Sequence, residues 1–333
     1  MKKQSPTLRD VAALAGVSAT TVSKFINQTQ KFSPTVEARL NAAIEELGYR
    51  SNPLARSMIT GVTRTIGLAV LDIRNPHFTN VVKGANRIAM QHGYTLLLVD
   101  TEESPERERM LIEALAQRVD GLILSTRMPE HAADWLLELN RPVVLLGNTQ
   151  QLAIPSVGND SYQAAYMLTR HLLNLGHKNI AYVGFVPSRW NAERTRGITD
   201  CLAERGLAPI LYDTDAPSPL AGEQVCAAVM LGAHEVHAVI CYNDLIALGF
   251  MKEARNLGLN IPADVSIAAF DNIIYGQYAC PALTTVDMQS ERVGEQAMTR
   301  LLSELNGGVG ESATKLEPRL IVRDSTARRV EAR

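Results

Sequence analysis

The sequence predicts a small all-α head at the N-terminus, followed by a larger α/β body made of two lobes, each a doubly wound parallel sheet. Three observations support this fold class. Short helical patterns fill residues 7–47, with a glycine-bearing turn between the first two. From Thr65 onward, apolar runs alternate with amphipathic helical segments, as in parallel sheets covered on both faces. A chain of 333 residues is long enough for a head and two lobes of ordinary size.

The first predicted helix begins at Thr7. Its hydroxyl can cap the helix, and Asp10, three positions later, completes a capping box. Val11 and Ala15 then belong to a small apolar face. We expect the helix to end at Gly16, because glycine tolerates backbone angles that residues with a side chain avoid.

A second helix follows this turn, with Ser18 as its cap. Its inward residues are Val22, Phe25 and Ile26. Its outward residues are short, polar or basic, namely Thr20, Thr21, Ser23, Lys24 and Asn27. Two helices joined by a tight turn, the second with a hydrogen-bonding face, are typical of a helix-turn-helix that binds the DNA major groove. The alternative is an ordinary helical hairpin whose polar face meets only water; the N-terminal position and the two caps favour DNA binding.

A third helix is predicted from Ser33-Pro34, with serine as the cap and proline at the first helical position, to Gly48. Residues 49–58 form a short amphipathic segment with too little apolar surface to fold alone. This segment is either a plain linker or a hinge helix that folds when DNA and a partner subunit support it. We assign residues 1–50 to the helix-turn-helix domain, 51–63 to the hinge helix and linker, and 64–333 to the body.

Charge is divided unevenly along the chain. Residues 1–63 contain 8 Lys+Arg and 4 Asp+Glu, a balance of +4. The whole chain has 33 Lys+Arg and 35 Asp+Glu, which leaves 25 against 31, or −6, for the body. A basic head attracts phosphate, and an acidic body limits non-specific adhesion to nucleic acid.

Cysteine usage and hydropathy predict a cytoplasmic protein without membrane contact, and the predicted DNA binding makes it nucleoid-associated. The cysteines form no CxxC pair and are interpreted as reduced packing residues. They are Cys201, Cys226, Cys241 and Cys280. No segment approaches the length of a membrane span, and Lys2 and Lys3 are followed by polar residues rather than by a signal-peptide core.

Nine apolar runs in the body are predicted strands. They are too many for one compact sheet, so two doubly wound lobes are more natural. Ligands of such sheets bind beyond the carboxyl ends of the strands, and a cleft between two lobes continues that rule. The runs are IGLAVLD (66–72), TLLLVD (95–100), GLILST (121–126), PVVLLG (142–147), IAYVG (180–184), AVICYND (238–244), VSIAAFD (265–271), LTTV (283–286) and LIV (320–322).

Polar residues at these strand ends are the candidate ligand contacts. His77 and Phe78 follow the first strand, Arg194 follows IAYVG and its loop, and Asn243 and Asp271 end two later strands. Arginine offers a planar fork of donors, asparagine both donates and accepts, and aspartate accepts from two hydroxyls. This mixture suits a polyhydroxylated ligand.

Each candidate has a structural alternative. Asp244 and Asn272 can cap the following helices, and we favour capping for Asp244. His77 can be a surface residue. Arg194 and Asp271 are harder to explain in this way, because a buried charge at a cleft needs a partner.

Eight segments carry a family resemblance, and the likeness covers almost the whole chain. They are TLRDVAALAGVSATTVSKFIN (7–27), ELGYRSNPLARSM (46–58), IRNPHF (73–78), VDGLIL (119–124), LGHKNIAYVG (175–184), CYNDLIALGF (241–250), IPADVSIAAFDN (261–272) and PALTTV (281–286). In these segments the chain resembles the lactose-repressor/galactose-repressor (LacI/GalR) family of bacterial transcription regulators.

The resemblance implies that the body is a periplasmic-binding-protein-like sensor for effector binding and dimerisation. The chain would cross between lobes near residues 160, 290 and 320. The N-lobe would comprise residues of about 64–160 plus 290–319, and the C-lobe about 161–289 plus 320–330. Arg194, Asn243 and Asp271 match the usual effector contacts of the family, and His77 and Phe78 lie where its first lobe touches effector.

The same resemblance implies a homodimer, or a larger assembly, on a near-palindromic double-stranded operator. Ala19, Thr20 and Lys24 match the base-reading positions of the family. Met58 matches the wedge that its hinge helices insert into the minor groove, with Arg56 against the backbone. Residues placed to touch phosphates are Thr7, Thr21, Ser23, Asn27, Ser33 and Tyr49, and Asn52 and Ala55 complete the DNA-contacting set.

The resemblance further implies a repressor of carbohydrate-metabolism genes without cofactor or metal. A sugar, phosphosugar or sugar acid in the cleft would change the spacing of the two hinges and hence DNA binding. Release from DNA is the expected outcome. The segment after Ile321, VRDSTARRVEAR, lacks leucine heptads, so a C-terminal tetramer-forming coiled coil is not expected and a dimer is the default.

Two departures from the family bear on the ligand. Many sugar-binding relatives carry an acidic residue at the end of the fourth strand, where this chain has Gly147-Asn148. Others place an aromatic side chain where this chain has Ala216-Pro217-Ser218, and Trp190 or Tyr275 is the expected replacement. Arg189, close in sequence to the predicted cleft arginine, makes a carboxylated ligand such as a sugar acid a further hypothesis.

Two other classes of protein are less compatible with the sequence. A periplasmic solute-binding protein would share the two-lobed body, but it should carry a secretion signal and has no use for a helix-turn-helix. An enzyme on an α/β scaffold is the second class. The chain has no GxSxG elbow, P-loop, dinucleotide fingerprint or HExxH motif, so we expect no catalysis.

Overall fold

The computed structural model describes residues 6–26, 29–50, 60–129, 132–147, 153–308 and 312–329. The chain divides after residue 63 into two compact units, the head and the body. Among the described residues, no helix combines the length and the apolar composition that crossing a bilayer requires.

The head contains α1 (Leu8–Ala15), α2 (Ala19–Ile26) and α3 (Pro34–Leu47). The predicted capping box of α1 is present: Thr7 N donates to the Asp10 carboxylate at 2.7 Å, and Asp10 N donates to Thr7 Oγ1 at 3.4 Å. The helix ends at Gly16, whose φ of 63° is left-handed. Local sequence chemistry therefore sets both ends of α1.

Ser18 caps α2 as predicted, because its Oγ accepts from Thr21 N at 3.1 Å. Ser33 occupies the predicted capping position of α3, although its side chain makes no capping hydrogen bond. Pro34 at the first helical position needs no hydrogen bond to its nitrogen and fixes a helical φ by itself. The three helices share a core of small and branched side chains, namely Val11, Ala12, Ala15, Val22, Leu40 and Ala43.

The first sheet of the body has the strand order β11-β5-β4-β3-β1-β2, and all its strand pairs are parallel. In chain order its elements are β1 (Thr65–Val70), α4 (Pro76–Gln91), β2 (Thr95–Asp100), α5 (Pro105–Ala116), β3 (Gly121–Leu124), a 3-10 helix (Asp134–Glu138), β4 (Val143–Leu146) and β5 (Ser156–Asn159). The central strands β1, β3 and β4 are buried almost throughout, because helices cover both faces.

The second sheet has the order β12-β10-β9-β8-β6-β7, in which β12 is antiparallel to β10. Its elements are α6 (Ser161–Asn174), β6 (Ile180–Gly184), α7 (Arg189–Ala203), β7 (Ile210–Asp213), α8 (Pro219–Met230), β8 (Ala238–Cys241), α9 (Asp244–Asn256), β9 (Ser266–Phe270), α10 (Ile274–Tyr278) and β10 (Thr284–Asp287). The chain then returns to the first lobe for α11 (Ser290–Leu305) and β11 (Ala313–Leu316) and ends with β12 (Arg319–Ile321) in the second. The predicted fold class is confirmed.

Three strands were not among the predicted runs: β5, β7 and β11. β5 reads SVGN, which has a single branched apolar residue. β7 and β11 are edge strands of their sheets, and each has half-buried and exposed residues but none that is fully buried. An edge strand needs no continuous apolar run, so hydrophobic periodicity misses it.

Two helix pairs approach closely at reciprocal glycines. A Cβ added at Gly84 in α4 would collide with the Glu291 carbonyl, and one at Gly294 in α11 would collide with the Val81 carbonyl. In the second lobe, Gly222 of α8 and Gly249 of α9 lie equally close to the backbone of the opposite helix. Such pairs let the backbones touch and fix the spacing of the helices that cover each sheet.

Replacing Gly84 with alanine should therefore destabilise the body. The added methyl must push α4 away from α11, and overpacking of this kind costs about 1–3 kcal/mol. Urea unfolding followed by circular dichroism measures the change. Gln91→Ala, which trims an exposed side chain of the same helix, is the matched control and should stay within about 0.5 kcal/mol of wild type. Equal stability of the two variants would contradict the close approach.

Candidate functional site

The exposed face of α2 carries the side chains predicted to read bases. Ala19, Thr20 and Lys24 are all exposed, and Thr20 and Lys24 are one helical turn apart on the same face. Lys24 Nζ donates to Gln30 Oε1 at 3.1 Å. Since this bond is exposed, an acceptor on DNA can replace it at little cost.

The residues predicted to touch phosphates are distributed over all three helices of the head. Thr7 and Ser33 are exposed and precede the first turns of α1 and α3, where free amide groups favour an anion. Thr21, Ser23 and Tyr49 are half-buried. Five further predicted contacts lie outside the described residues: Asn27, Asn52, Ala55, Arg56 and Met58.

A cavity lies between the lobes of the body, beyond the carboxyl ends of their strands. It encloses about 640 Å³ including its open mouth. All six side chains predicted to bind effector line it, and the structure thus brings them together. They are His77 and Phe78 from the first lobe and Trp190, Arg194, Asn243 and Asp271 from the second.

Arg194 is a deeply buried charge of this cavity. Its side chain is 4% exposed, and its guanidinium lies 4.8 Å from the Tyr242 ring centroid and 4.3 Å from that of Phe270. Nη1 donates to the Tyr242 carbonyl, and Nη2 is 3.8 Å from Asp271 Oδ1. Nε has no hydrogen-bond partner among the described residues. The two rings and the carbonyl fix the direction of the donors, so the guanidinium is already oriented for a ligand.

His77 faces Asp271 across the cleft. Nδ1 lies 3.7 Å from Asp271 Oδ1 and 2.8 Å from Ser290 Oγ. Burial lowers the pKa of His77 below its usual value; the nearby Asp271 carboxylate opposes this shift, and Arg194 adds to it. The imidazole is therefore neutral near pH 7, and because Ser290 Oγ already pairs with Nδ1, Nε2 is the nitrogen that remains to donate or accept.

Asn243 both lines the cavity and caps α9. Its Oδ1 accepts from Ile246 N at 2.8 Å, and its Nδ2 donates to the Pro217 carbonyl at 3.2 Å. The interpretation of Asp244 as the helix cap is wrong, because Asn243 takes that position. The fully buried Asp244 carboxylate instead accepts from Ile273 N and from Thr285 Oγ1. Two adjacent polar residues at a strand end are equally good caps by sequence, and only tertiary contacts distinguish them.

A buried ion pair in the cavity wall was not predicted. Nε and Nη2 of Arg127 both donate to the Glu103 carboxylate, Nη2 at 3.0 Å. From this position in the first lobe, the Arg127 guanidinium lies 5.2 Å from the Phe185 ring centroid and 5.5 Å from that of Trp190, both in the second lobe. The signal was available: Glu103 and Arg127 follow two of the apolar runs, where strand-end side chains converge.

Trp190 supplies the aromatic wall of the cavity. Its indole Nε1 is so close to Gly147 that a Cβ there would lie 2.9 Å away. Gly147 has a φ of 107°, which side chains disfavour. The absence of a side chain at Gly147 thus makes room for the indole. Tyr275, the other expected aromatic replacement, is 56% exposed and is not among the cavity-lining residues, so that expectation is wrong.

Arg189 does not line the cavity, which weakens the sugar-acid hypothesis. Its Nη2 lies 3.4 Å from the Thr126 carbonyl in the first lobe. Arg189 and Arg194 are five residues apart on α7, which turns their side chains about 140° from each other around the helix. Neighbours in sequence therefore face different surroundings.

Replacing His77 with glutamine should reduce the loss of stability at acidic pH. A histidine with a lowered pKa in the folded state contributes stability above its unfolded pKa of about 6.5, and this is lost as pH falls through the folded pKa. Burial lowers the pKa of His171 and His177 as well, so wild type and His77→Gln should both lose stability at acidic pH. Urea unfolding at several pH values should show a smaller loss for His77→Gln; parallel curves would mean that the His77 ring is freely protonated in the fold.

Comparison with known proteins gives two family matches. The model for bacterial regulatory proteins of the lacI family matches residues 7–52, and that for a periplasmic binding protein-like domain matches residues 169–326. The HTH-type transcriptional repressor PurR of Vibrio campbellii (strain ATCC BAA-1116) is 33% identical, over 96% of this chain and 98% of that protein.

Solved structures of similar proteins agree with these family matches. A lac repressor dimer bound to operator and the anti-inducer ONPF is 27% identical, with a TM-score of 0.90 over 97% of this chain and 100% of that chain. A complex of the transcriptional regulator CelR with cellobiose is 27% identical, with a TM-score of 0.73 over 96% of this chain and 99% of that chain. The expectation of a regulator rather than an enzyme is confirmed. Because the relatives match along nearly its whole length, the chain belongs to the LacI family. It is a DNA-binding transcriptional repressor with an effector-binding domain.

Proposed function

We propose that this repressor binds a palindromic operator as a homodimer in the cytoplasm and responds to a small polyhydroxylated effector, most simply a neutral sugar. The observation that carries the proposal is the inter-lobe cavity, in which Arg194 and Asp271 are buried side by side yet keep bonding capacity for a ligand. A buried charge pair that faces a cavity is best explained by a ligand that it binds.

DNA binding is supported by the head. Its charge balance of +4 favours phosphate, and the exposed side of α2 offers one flexible cation, Lys24, among short side chains. Short residues at the base-reading positions imply few long-reach contacts, so Lys24 to guanine and the Thr20 methyl to thymine would contribute much of the specificity. The lac repressor dimer with a comparable fold is bound to operator.

Dimerisation is supported by an exposed apolar edge. β2 is the edge strand of the first sheet, and Leu97 on it is 37% exposed. Met90 and Met110, on the helices before and after β2, are 68% and 64% exposed. An open strand edge flanked by apolar side chains tends to pair with another chain, and a second copy would cover it.

The charges of the cavity favour a neutral effector. Glu103 pairs with Arg127, and Asp271 pairs with Arg194, so these carboxylates and guanidinium groups balance within the wall. Arg194 Nε and Ser125 Oγ have no hydrogen-bond partner among the described residues, and hydroxyl groups can satisfy both. The cellobiose in the CelR complex shows that a related fold accepts a neutral sugar. A phosphosugar or sugar acid would need a further cation.

Control would follow from the contacts that join the lobes. Arg127 and His77 reach from the first lobe to Trp190 and Asp271 in the second. An effector that inserts among these residues changes the arrangement of the lobes, and thereby the hinges of a dimer. A coupling of about 1–3 kcal/mol is enough to regulate operator occupancy. We propose that effector releases the repressor from genes of carbohydrate metabolism.

Operator selection from a random duplex pool tests the DNA-binding part of this proposal. Wild type should enrich a palindromic site, and one compound from a panel of cellobiose, D-ribose, gluconate, glucose 6-phosphate and adenine should reduce its recovery. Lys24→Ala should weaken binding to that site by roughly tenfold or more and relax its sequence. Asn41→Ala, at an exposed position of α3, is the control. Failure to enrich any sequence under all conditions would refute the proposal.

The effector contact can be tested by calorimetry with the same panel. Arg194→Met should weaken binding of the active compound by roughly thirtyfold or more, because truncating a buried charge costs about 2 kcal/mol or more. Asp271→Asn should also weaken it. Arg196→Met, which removes an exposed arginine from the same helix, should change the affinity less than about twofold. Unchanged affinity in Arg194→Met would place the effector elsewhere.

A further inference from the structure

The turn that presents Asp271 to the cavity has an unfavourable backbone. Asp271 has a φ of 108° and Asn272 a φ of 54°, so two successive residues with side chains are in the left-handed region. Such conformations persist only where surrounding contacts determine them, and they concentrate at functional sites. Asp271 lies directly after β9 and faces both Arg194 and His77. Contacts that hold this turn therefore also set the direction of the Asp271 carboxylate.

Thr285 on β10 ties the turn to a buried carboxylate. Its hydroxyl donates to Asp244 Oδ1 at 2.6 Å and accepts from Asn272 N at 3.3 Å. Asp244 Oδ2 accepts from Ile273 N at 2.8 Å. Asp244 and Thr285 are both 0% exposed. One hydroxyl thus uses both its donor and its acceptor capacity to join α9 to the turn, which an apolar side chain cannot do.

Arg323, in the segment after β12, holds the turn from another direction. Nη2 donates to Asn272 Oδ1 and Nη1 to the Leu283 carbonyl, each at 2.7 Å. The fork of one guanidinium thereby links the turn to the residue just before β10. Asp271 N itself donates to the Val286 carbonyl at 2.9 Å. The turn is therefore anchored to three separate segments of the second lobe.

We propose that Asp244, Thr285 and Arg323 form a clamp whose function is to position Asp271 for the effector. This inference rests on the proposed role of Asp271 as an effector contact. None of the three clamp residues is among those that line the cavity, so they act on a ligand only through Asp271 and its turn. The clamp keeps the carboxylate beside Arg194 before a ligand arrives, and a site ordered in advance loses less entropy on binding.

Thr285→Val and Thr285→Ser provide a matched test. Valine has the shape of threonine without the hydroxyl, whereas serine keeps the hydroxyl. Hydrogen exchange of the ligand-free protein, read at the Asn272 and Ile273 amides, should be about tenfold or more faster in Thr285→Val and within about twofold of wild type in Thr285→Ser. Exchange as slow in the valine variant as in wild type would overturn the clamp. If Thr285→Val does not fold, the same measurement is made on Arg323→Met, because Arg323 is only half-buried and its replacement should be tolerated.

Affinity separates this inference from the proposed function. For the panel compound that binds wild type, Thr285→Val should weaken binding by about tenfold and Thr285→Ser by less than about twofold. Weaker binding by Asp271→Asn combined with unchanged binding by Thr285→Val would refute the clamp and leave the proposed function intact. Unchanged binding by Asp271→Asn would refute the effector role of Asp271, while the exchange measurement would still decide whether the clamp holds the turn.

Discussion

The inter-lobe cavity depends on the contacts that the buried guanidinium of Arg194 makes with its surroundings. It lies between the Tyr242 and Phe270 rings, donates to a carbonyl and faces the Asp271 carboxylate. A charge taken so far from water must be compensated by its surroundings. The groups around it are therefore not interchangeable: the strand ends, the rings and the turn after β9 all have to converge on one point.

The contacts between the lobes are mixed in character and weak one by one. Arg127 faces rings of the second lobe, Trp190 lies against Gly147 of the first, and His77 faces Asp271. Trp190 packs against the apolar core of the first lobe, whereas the contacts of Arg127 and His77 are individual ring, ion or hydrogen-bond contacts. An interface of this type can rearrange when a small molecule replaces some of its contacts, which is what an allosteric sensor requires.

The predictability of these features depends on how local their causes are. The ends of α1 follow from Thr7, Asp10 and Gly16, whose partners are within a few residues. His77, Asn243 and Asp271 were predictable because strand ends converge in a parallel sheet, and the family resemblance indicated the same residues. Asn243 rather than Asp244 caps the helix, and Arg189 points away from the cavity; both outcomes depend on partners far along the chain, such as Thr285 and Thr126. Sequence patterns contain no information about such partners.

The contact between Gly147 and Trp190 also restricts how this site can diverge. The volume that a side chain would need at position 147 is already taken by the indole. A larger residue at 147 requires a smaller one at 190, and a smaller residue at 190 alone leaves a void beside Gly147. The effects of substitutions at the two positions therefore depend on each other. If they change one at a time, the intermediate protein has either a steric clash between residues 147 and 190 or a cavity between them.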